Sequence, residues 1–229
     1  MKKFLFVFLI SCFSLTISTC SVNWGSNKDD TTSGLFVSVG NSGTIIISSD
    51  GITWIFSTSG TSSNLWGINY GNSTFVTVGD SGTILTSSDG TSWDNRTSDV
   101  SSTLYGVTYG NSTFVTVGDN GTILTSSDGT TWTSRTSNTS KNLYGVIYGN
   151  STFVTMGASG TILTSSDGTS WTSRTSGASD TLWGVIYGKS AYVMVVGTLG
   201  TVLTSSDLTT WTSRTSNTSN NLLEVTYKE

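Results

Sequence analysis

Short runs of alternating apolar and polar residues follow one another from about residue 35 to the end of the chain. In the stretch 143–175 four such runs are LYGVIYG, TFVTMG, TILTSS and TSWTSRT, and each stops at Gly, Asn, Asp or Ser. Runs rich in Val, Ile, Thr and aromatic residues with turn residues between them predict β-strands joined by tight turns. The stretch therefore predicts a four-stranded antiparallel meander.

The hydrophobicity of these runs falls from the first to the fourth. The first run is apolar on both faces, with Tyr144, Val146 and Tyr148 on one face and Leu143 and Ile147 on the other, whereas the fourth is polar apart from its tryptophan. A radial stack of four-stranded blades buries inner strands between neighbours and leaves the outer strand in water. The gradient therefore favours a β-propeller, in which a glycine third in the first run keeps the crowded axis free of side chains.

The four-strand unit recurs along the chain. The motif SSDGTTW at 126–132 returns as SSDGITW at 48, SSDGTSW at 87 and 165, and SSDLTTW at 205. The motif tryptophans are 39, 39, 39 and 40 residues apart; they are Trp54, Trp93, Trp132, Trp171 and Trp211. A period near 40 indicates one supersecondary unit per repeat.

The first and last units are complementary. The first begins with LFVSVG at 35–40, a second-strand sequence, and the chain closes with LLEVTY at 222–227, a first-strand sequence. Leu222 lies 11 residues after Trp211, as Leu143 lies 11 after Trp132. We therefore expect an all-β, five-bladed β-propeller of four-stranded antiparallel blades, closed by the C-terminal strand completing the first blade, which removes open sheet edges.

The repeated motif resembles the Asp box, the S-x-D-x-G-x-T-W signature of sialidase-like and photosystem-assembly-factor-like (BNR-like) β-propellers. The resemblance covers all five units, although each copy is one residue shorter, and Leu208 replaces the glycine of the fifth. A carboxylate beside a glycine with positive φ accepts backbone N–H bonds and fixes a tight turn, while the tryptophan anchors the hairpin between blades. The expected structural residues are the five tryptophans together with Asp50, Asp89, Asp128, Asp167 and Asp207. Calcium binding is the alternative, but further carboxylates at ligand spacing are lacking, so no metal is predicted.

The N-terminus predicts export. Two lysines precede an apolar run from Phe4 to Ile10, which is typical of a secretory signal peptide and too short for a good membrane span. The sequence ISTC at 17–20 resembles the lipobox of bacterial lipoproteins, which implies a lipid on Cys20, although Thr19 departs from the usual Gly, Ala or Ser. The alternative is ordinary signal-peptidase cleavage near Ser21.

These boundaries divide the chain into three parts: a signal peptide over 1–20, a polar tether over 21–34 and the propeller over 35–229. We therefore expect an exported, membrane-anchored lipoprotein, periplasmic or surface-exposed. Its sequence pI of about 4.6 leaves no basic surface for phosphates, so nucleic acid is not an expected partner and contact with the membrane is through the lipid anchor only.

The charged residues do not predict catalysis. In sialidases a cluster of arginines converges at the propeller centre. Here each arginine stands three residues after a motif tryptophan, on the outermost strand; the four are Arg96, Arg135, Arg174 and Arg214. An acid and a base also need environments that separate their pKa values, but the polar residues here come in near-equivalent copies. No catalytic residue and no cofactor are predicted, and a glycoside hydrolase is the least expected function.

The copies differ in the blade-to-blade connections and in the hairpins between second and third strands, which lie at the end opposite the Asp-box turns. The candidate ligand face comprises Asn41, Asp80 and Asp119 in these hairpins, with Trp66, Tyr105, Tyr144 and Trp183 at the starts of first strands. The rings either wedge between blades as core or form a platform for a ligand. Two functions follow: a non-enzymatic protein-binding or assembly scaffold, which the photosystem-assembly-factor resemblance implies, or a multivalent carbohydrate-binding, lectin-like propeller.

Overall fold

The computed structural model describes residues 34–188 and 192–228, which form nineteen strands in five antiparallel sheets and confirm the five-bladed β-propeller. Blade 1 has β1 (Phe36–Val39), β2 (Ile45–Ser48) and β3 (Ile55–Ser57); blade 2 has β4 (Leu65–Gly71), β5 (Thr74–Gly79), β6 (Ile84–Ser87) and β7 (Asp94–Arg96); blade 3 has β8 (Leu104–Gly110), β9 (Thr113–Gly118), β10 (Ile123–Ser126) and β11 (Thr133–Arg135); blade 4 has β12 (Leu143–Gly149), β13 (Thr152–Gly157), β14 (Ile162–Ser165) and β15 (Thr172–Arg174); blade 5 has β16 (Leu182–Gly188), β17 (Tyr192–Gly197), β18 (Val202–Ser205) and β19 (Thr212–Ser213).

Each blade is a simple meander in which strands pair in chain order. A short 3-10 turn joins the second and third strands, and the Asp-box motif joins the third and fourth. The 3-10 turns are Asn41–Gly43, Asp80–Gly82, Asp119–Gly121, Ala158–Gly160 and Thr198–Gly200. Because the two kinds of turn lie at opposite ends of the third strand, they lie at opposite ends of the propeller, as predicted.

The hydrophobic core lies between neighbouring blades. Val76 and Val78 of blade 2 pack in one cluster with Phe114 and Leu124 of blade 3, and all four are buried. The outer strands are exposed, as the sequence gradient predicts. Each blade boundary is therefore a sheet-to-sheet interface held by apolar burial.

Inner strands of adjacent blades approach closely at the first-strand glycines. A Cβ atom on Gly67 would lie 2.6 Å from the carbonyl oxygen of Tyr105, and one on Gly106 would lie 3.2 Å from that of Tyr144. A larger residue would push the strands apart. These glycines therefore permit the close approach of inner strands from adjacent blades.

Blade 1 differs from the prediction, because it has three strands in the described part of the chain and residues 222–227 form no ladder with β1. This segment lies beside β16 of blade 5. The Leu222 amide donates to the Gly197 carbonyl at 2.9 Å, and a Cβ on Gly184 would lie 3.0 Å from the Leu223 carbonyl oxygen. The segment stacks on the fifth blade as every first strand stacks on the blade before it. It does not pair with β1, so the expected closure of the ring is not made among the described residues.

The predicted signal peptide, its Cys20 and the tether up to residue 33 lie outside the described residues. Over the residues that the structure does describe, no helix has the length and apolar character needed to cross a membrane.

Candidate functional site

The four aromatic side chains of the predicted ligand face form one continuous line across blades 2 to 5, here called the aromatic row. Ring centroids are 6.1 Å apart for Trp66 and Tyr105, 5.2 Å for Tyr105 and Tyr144, and 4.5 Å for Tyr144 and Trp183. All four residues are half-buried. Each ring therefore packs on its neighbours and still meets solvent, so the row combines features of core and of platform.

A β-bulge positions each ring. The register shifts between Leu104 and Gly106 in β8, and the residue between them, Tyr105, has no Cα partner on β9. The same shift occurs in the first strands of blades 2, 4 and 5. Bulges re-aim side chains and are common next to functional sites. The sequence analysis placed the rings at strand starts but missed the bulge, whose signal is the glycine one residue after each ring.

Carboxylates hold the polar ends of the first two rings. The Trp66 indole Nε1 donates to Asp80 Oδ1 at 2.7 Å, and the Tyr105 hydroxyl donates to Asp119 Oδ1 at 3.0 Å. Asp80 also accepts from the Asn64 side-chain amide at 2.9 Å. Burial, and then the hydrogen bond to Asp119, raise the pKa of Tyr105 above its ordinary value. These bonds fix two rings against the 3-10 turns of their own blades.

The row changes character along its length. In blades 4 and 5 the positions of Asp80 and Asp119 are taken by Ala158 and Thr198. The indole nitrogen of Trp183 is buried and has no acceptor among the described residues. Leu199, in the 3-10 turn of the same blade, is 66% exposed. The carboxylates that bond to the rings are thus present in blades 2 and 3 and absent from the 3-10 turns of blades 4 and 5.

Asn41, the remaining predicted face residue, is exposed in the 3-10 turn of blade 1. Over residues 34–188 and 192–228, blade 1 has no first strand, and so no ring from it joins the row. The structure brings six of the seven predicted face residues together and leaves Asn41 beside them.

The connections between blades add charge at the same end of the propeller. Within the described residues, the turns and connections there carry Asp80, Asp99, Asp119 and Asp180 against Lys141. Asp180 accepts a hydrogen bond from the Thr201 hydroxyl at 2.8 Å. The face around the row is therefore net acidic.

In the Asp-box turns at the opposite end, each aspartate carboxylate is hydrogen-bonded within its own turn. Asp128 Oδ1 accepts from the amides of Thr130 and Thr131 at 2.8 and 3.0 Å, and the Ser126 hydroxyl donates to it at 2.9 Å. Hydrogen bonds from Thr130 and Thr131 hold the pKa of Asp128 well below its ordinary value. The other four aspartates accept the same bonds. Each carboxylate is occupied by its own turn, and the described residues contain no cluster of three or more potential metal ligands.

The Asp-box tryptophans differ in burial. Trp132, Trp171 and Trp211 are buried between blades, Trp93 is half-buried, and Trp54 is exposed. In blades 3 and 4 the indole donates to the carbonyl of the turn glycine at 2.9 Å. In blade 5 Leu208 keeps the left-handed backbone, with φ of 61°, and the Trp211 nitrogen is buried without an acceptor among the described residues. The leucine thus adopts a left-handed conformation that is strained for a residue with a side chain.

The arginines lie on or next to the outer strands of their own blades. Arg135 Nε donates to the Thr125 hydroxyl at 2.8 Å, and the other three arginines make the equivalent bond. Arg96 also pairs with Asp94 at 2.9 Å in an exposed position. Glu224 lies beside β16, where desolvation raises the pKa of its carboxyl although the residue as a whole is exposed. The structure keeps the arginines apart, as predicted.

No family model and no curated protein matches the sequence. Among solved structures, the fold is similar to YCF48 from Cyanidioschyzon merolae, with a TM-score of 0.63 and 15% identity over 82% of this chain and 72% of that one. It is also similar to a structure of YCF48 bound to D1 peptide, with a TM-score of 0.45 and 16% identity over 77% of this chain and 76% of that one. The first similarity supports the β-propeller fold.

Proposed function

We propose that this chain is a non-enzymatic binding propeller that uses the aromatic row and its flanking turns to hold a segment of a partner protein. The observation that carries the proposal is the continuity of the row: four half-buried rings, one from each of four successive blades, lie within 6.1 Å of their neighbours. Aromatic rings supply large contact areas with little loss of side-chain entropy on binding. A single elongated ligand fits a surface of this shape.

The four blades carry different side chains at the aromatic row, which favours a protein segment as the ligand over a set of sugars. A multivalent lectin repeats one site in each blade, but here the ring changes between Trp and Tyr and the carboxylate is present in only two of the blades. Asp80 and Asp119 are also engaged with ring donors. Ring faces that lean on their neighbours offer little flat surface for stacking a pyranose ring.

The 3-10 turn carboxylates, present in blades 2 and 3 only, indicate the polarity of the partner segment. Basic side chains suit the end near Asp80 and Asp119, and apolar side chains suit the end near Trp183 and the exposed Leu199. Complementary charge at the acidic end speeds encounter and fixes orientation. The partner is thus an extended segment with basic residues at one end and apolar residues at the other.

In one solved structure, the protein YCF48 is bound to D1 peptide. The N-terminal sequence supports placing the chain in the bacterial cell envelope as a lipoprotein anchored through Cys20. A Cys20→Ser variant should then move from the detergent phase to the aqueous phase, because about 0.8 kcal/mol per buried CH₂ of lipid is lost; unchanged partitioning would contradict the anchor.

The test of binding is affinity capture from cell envelopes with three versions of the chain. Removing both charges in Asp80→Asn with Asp119→Asn should abolish capture of the partner protein, while Asp94→Asn, on an outer strand, should leave it unchanged. Melting curves of all three confirm folding. Equal capture by the double variant would refute the proposed face, and saturable binding to a glycan array without a protein partner would favour the lectin.

A further inference from the structure

The first blade exposes a surface that is buried at the other blade boundaries. The rings of Phe36 and Trp54 lie 6.4 Å apart and are 44% and 41% exposed. The equivalent rings of blade 3, Phe114 and Trp132, are also 6.4 Å apart but only 0% and 8% exposed, because blade 2 covers them. Blade 1 therefore presents an uncovered blade interface.

The sheet of blade 1 also lacks an inner strand. Strand β5 of blade 2 pairs with β4 on one side and β6 on the other, whereas β1 pairs with β2 alone in the described part of the chain. The inner edge of β1 thus offers backbone groups to another strand.

Residues 222–227 likewise lack a strand to pair with among the described residues. The Leu222 amide donates to the Gly197 carbonyl at 2.9 Å, just as the Leu65 amide donates to the Gly40 carbonyl at 3.0 Å. Leu65 begins a first strand that goes on to pair with β5, whereas the segment after Leu222 pairs with no second strand among the described residues. The exposed side chains of Leu223 and Tyr227 accompany this unpaired edge.

The packing between blades resists closure within one chain. Inner strands already touch through backbone at Gly67 and Gly106. Outer regions are filled by Trp132 and Trp171, which are buried at their blade boundaries. A change in the angle between blades would disturb these contacts, whereas pairing with a second copy leaves them unchanged.

We propose that residues 222–227 of one copy pair with β1 of a second copy and complete its first blade. Ile68 opposes Thr77 in blade 2, so the equivalent register sets Val225 of one copy opposite Ser38 of the other. The contact is head to tail, since each copy carries one donor segment and one acceptor edge. Repeating it produces closed rings of copies or open chains.

Disulfide trapping between two separate variants tests this pairing. Ser38→Cys and Val225→Cys are made in different full-length chains, both in a Cys12→Ser, Cys20→Ser background, then mixed and oxidised. Directly opposed residues in an antiparallel pair have Cα atoms about 4.5–5.5 Å apart, which suits a disulfide. Mixed dimers are expected in high yield, and a control mixture of Ser38→Cys with Thr172→Cys, on an outer strand, should give almost none.

The chain that carries both Ser38→Cys and Val225→Cys distinguishes the two closures. Cross-linked oligomers support exchange between copies, whereas a cross-linked monomer with no mixed dimers overturns the proposal in favour of closure within one chain. Sedimentation velocity gives a second measurement without cysteines. Thr226, the equivalent of Asn69, falls at a hydrogen-bonded position of this register, so Thr226→Pro removes an N–H directed at β1 and should weaken self-association at least tenfold. A wild-type chain that stays monomeric at every concentration would also overturn the proposal.

Discussion

The hydroxyl of Tyr105 donates a 3.0 Å hydrogen bond to Asp119, which ties a ring of the aromatic row to the 3-10 turn of its own blade. The bulge in β8 and the turn after β9 are separated in the sequence, and together they hold the Tyr105 side chain. A partner would meet a surface that is already formed, which lowers the entropy cost of binding.

Removing the charge of Asp119 should lower the pKa of Tyr105. Burial and Asp119 both raise this pKa, so Asp119→Asn should bring it closer to the ordinary value of about 10 without reaching it, because burial persists. The raised pKa gives stability that is present below about pH 10 and is lost as pH rises through the folded value. Ultraviolet titration of tyrosinate checks the shift, with Asp94→Asn as the unshifted control; an identical titration in Asp119→Asn would show that the bond is unimportant.

Two tryptophans of the row should respond differently to replacement by phenylalanine. Trp66→Phe removes the donor to Asp80 and should cost about 1 kcal/mol of unfolding free energy. Trp183→Phe removes a buried donor without an acceptor and should be neutral within about 0.5 kcal/mol or stabilising. Urea unfolding of both variants measures the difference, and equal losses would mean that ring size alone decides.

The Asp-box carboxylates should make the fold sensitive to acid. Hydrogen bonds lower the pKa of Asp128 below the unfolded value of about 3.9, so its contribution is present above that pH and is lost as pH falls through the folded value. Asp128→Ala should therefore lower the free energy of unfolding by about 1 kcal/mol at pH 7, since the turn is exposed and water replaces part of the bonding. The gap between variant and wild type should shrink at pH 2, and a gap that is independent of pH would contradict the charged role.

Equivalent Asp-box tryptophans should differ in stability because their burial differs. Trp132→Ala opens a cavity between two blades and should cost about 3–5 kcal/mol. Trp54→Ala, at the exposed end, should cost less than about half of that in dilute, monomeric protein. Denaturant unfolding followed by circular dichroism compares the two, and equal costs would show that blade 1 is covered in solution.

The sequence predicted those features that follow from periodicity and local chemistry. The 39-residue repeat fixed the number of blades, and the fall in hydrophobicity from the first to the fourth run fixed the order of strands. The Ser–Asp–Gly motif predicted the turn that Ser126, Asp128 and Gly129 form, because all its hydrogen bonds lie within a few residues.

Features that depend on curvature or on irregular pairing were not predictable in this way. The strand pattern of residues 222–227 indicates a partner but does not say where blade 1 lies relative to blade 5, since that depends on the summed packing of four boundaries. The bulge at Tyr105 is a shift in the register between β8 and β9. Both strands carry ordinary strand residues, so their composition does not reveal the shift. The pairing of Trp66 with Asp80 likewise links two elements 14 residues apart.

Site-specific photo-cross-linking in intact cells tests the binding face most directly. A photoreactive phenylalanine at Leu199, exposed beside the apolar end of the aromatic row, is compared with the same group at Ser173 on the outer strand β15. The account predicts a discrete adduct with a protein other than a second copy of this chain from position 199, and none from position 173. No adduct from position 199, or equal adducts from both positions, would contradict the assignment of this face as the protein-binding surface.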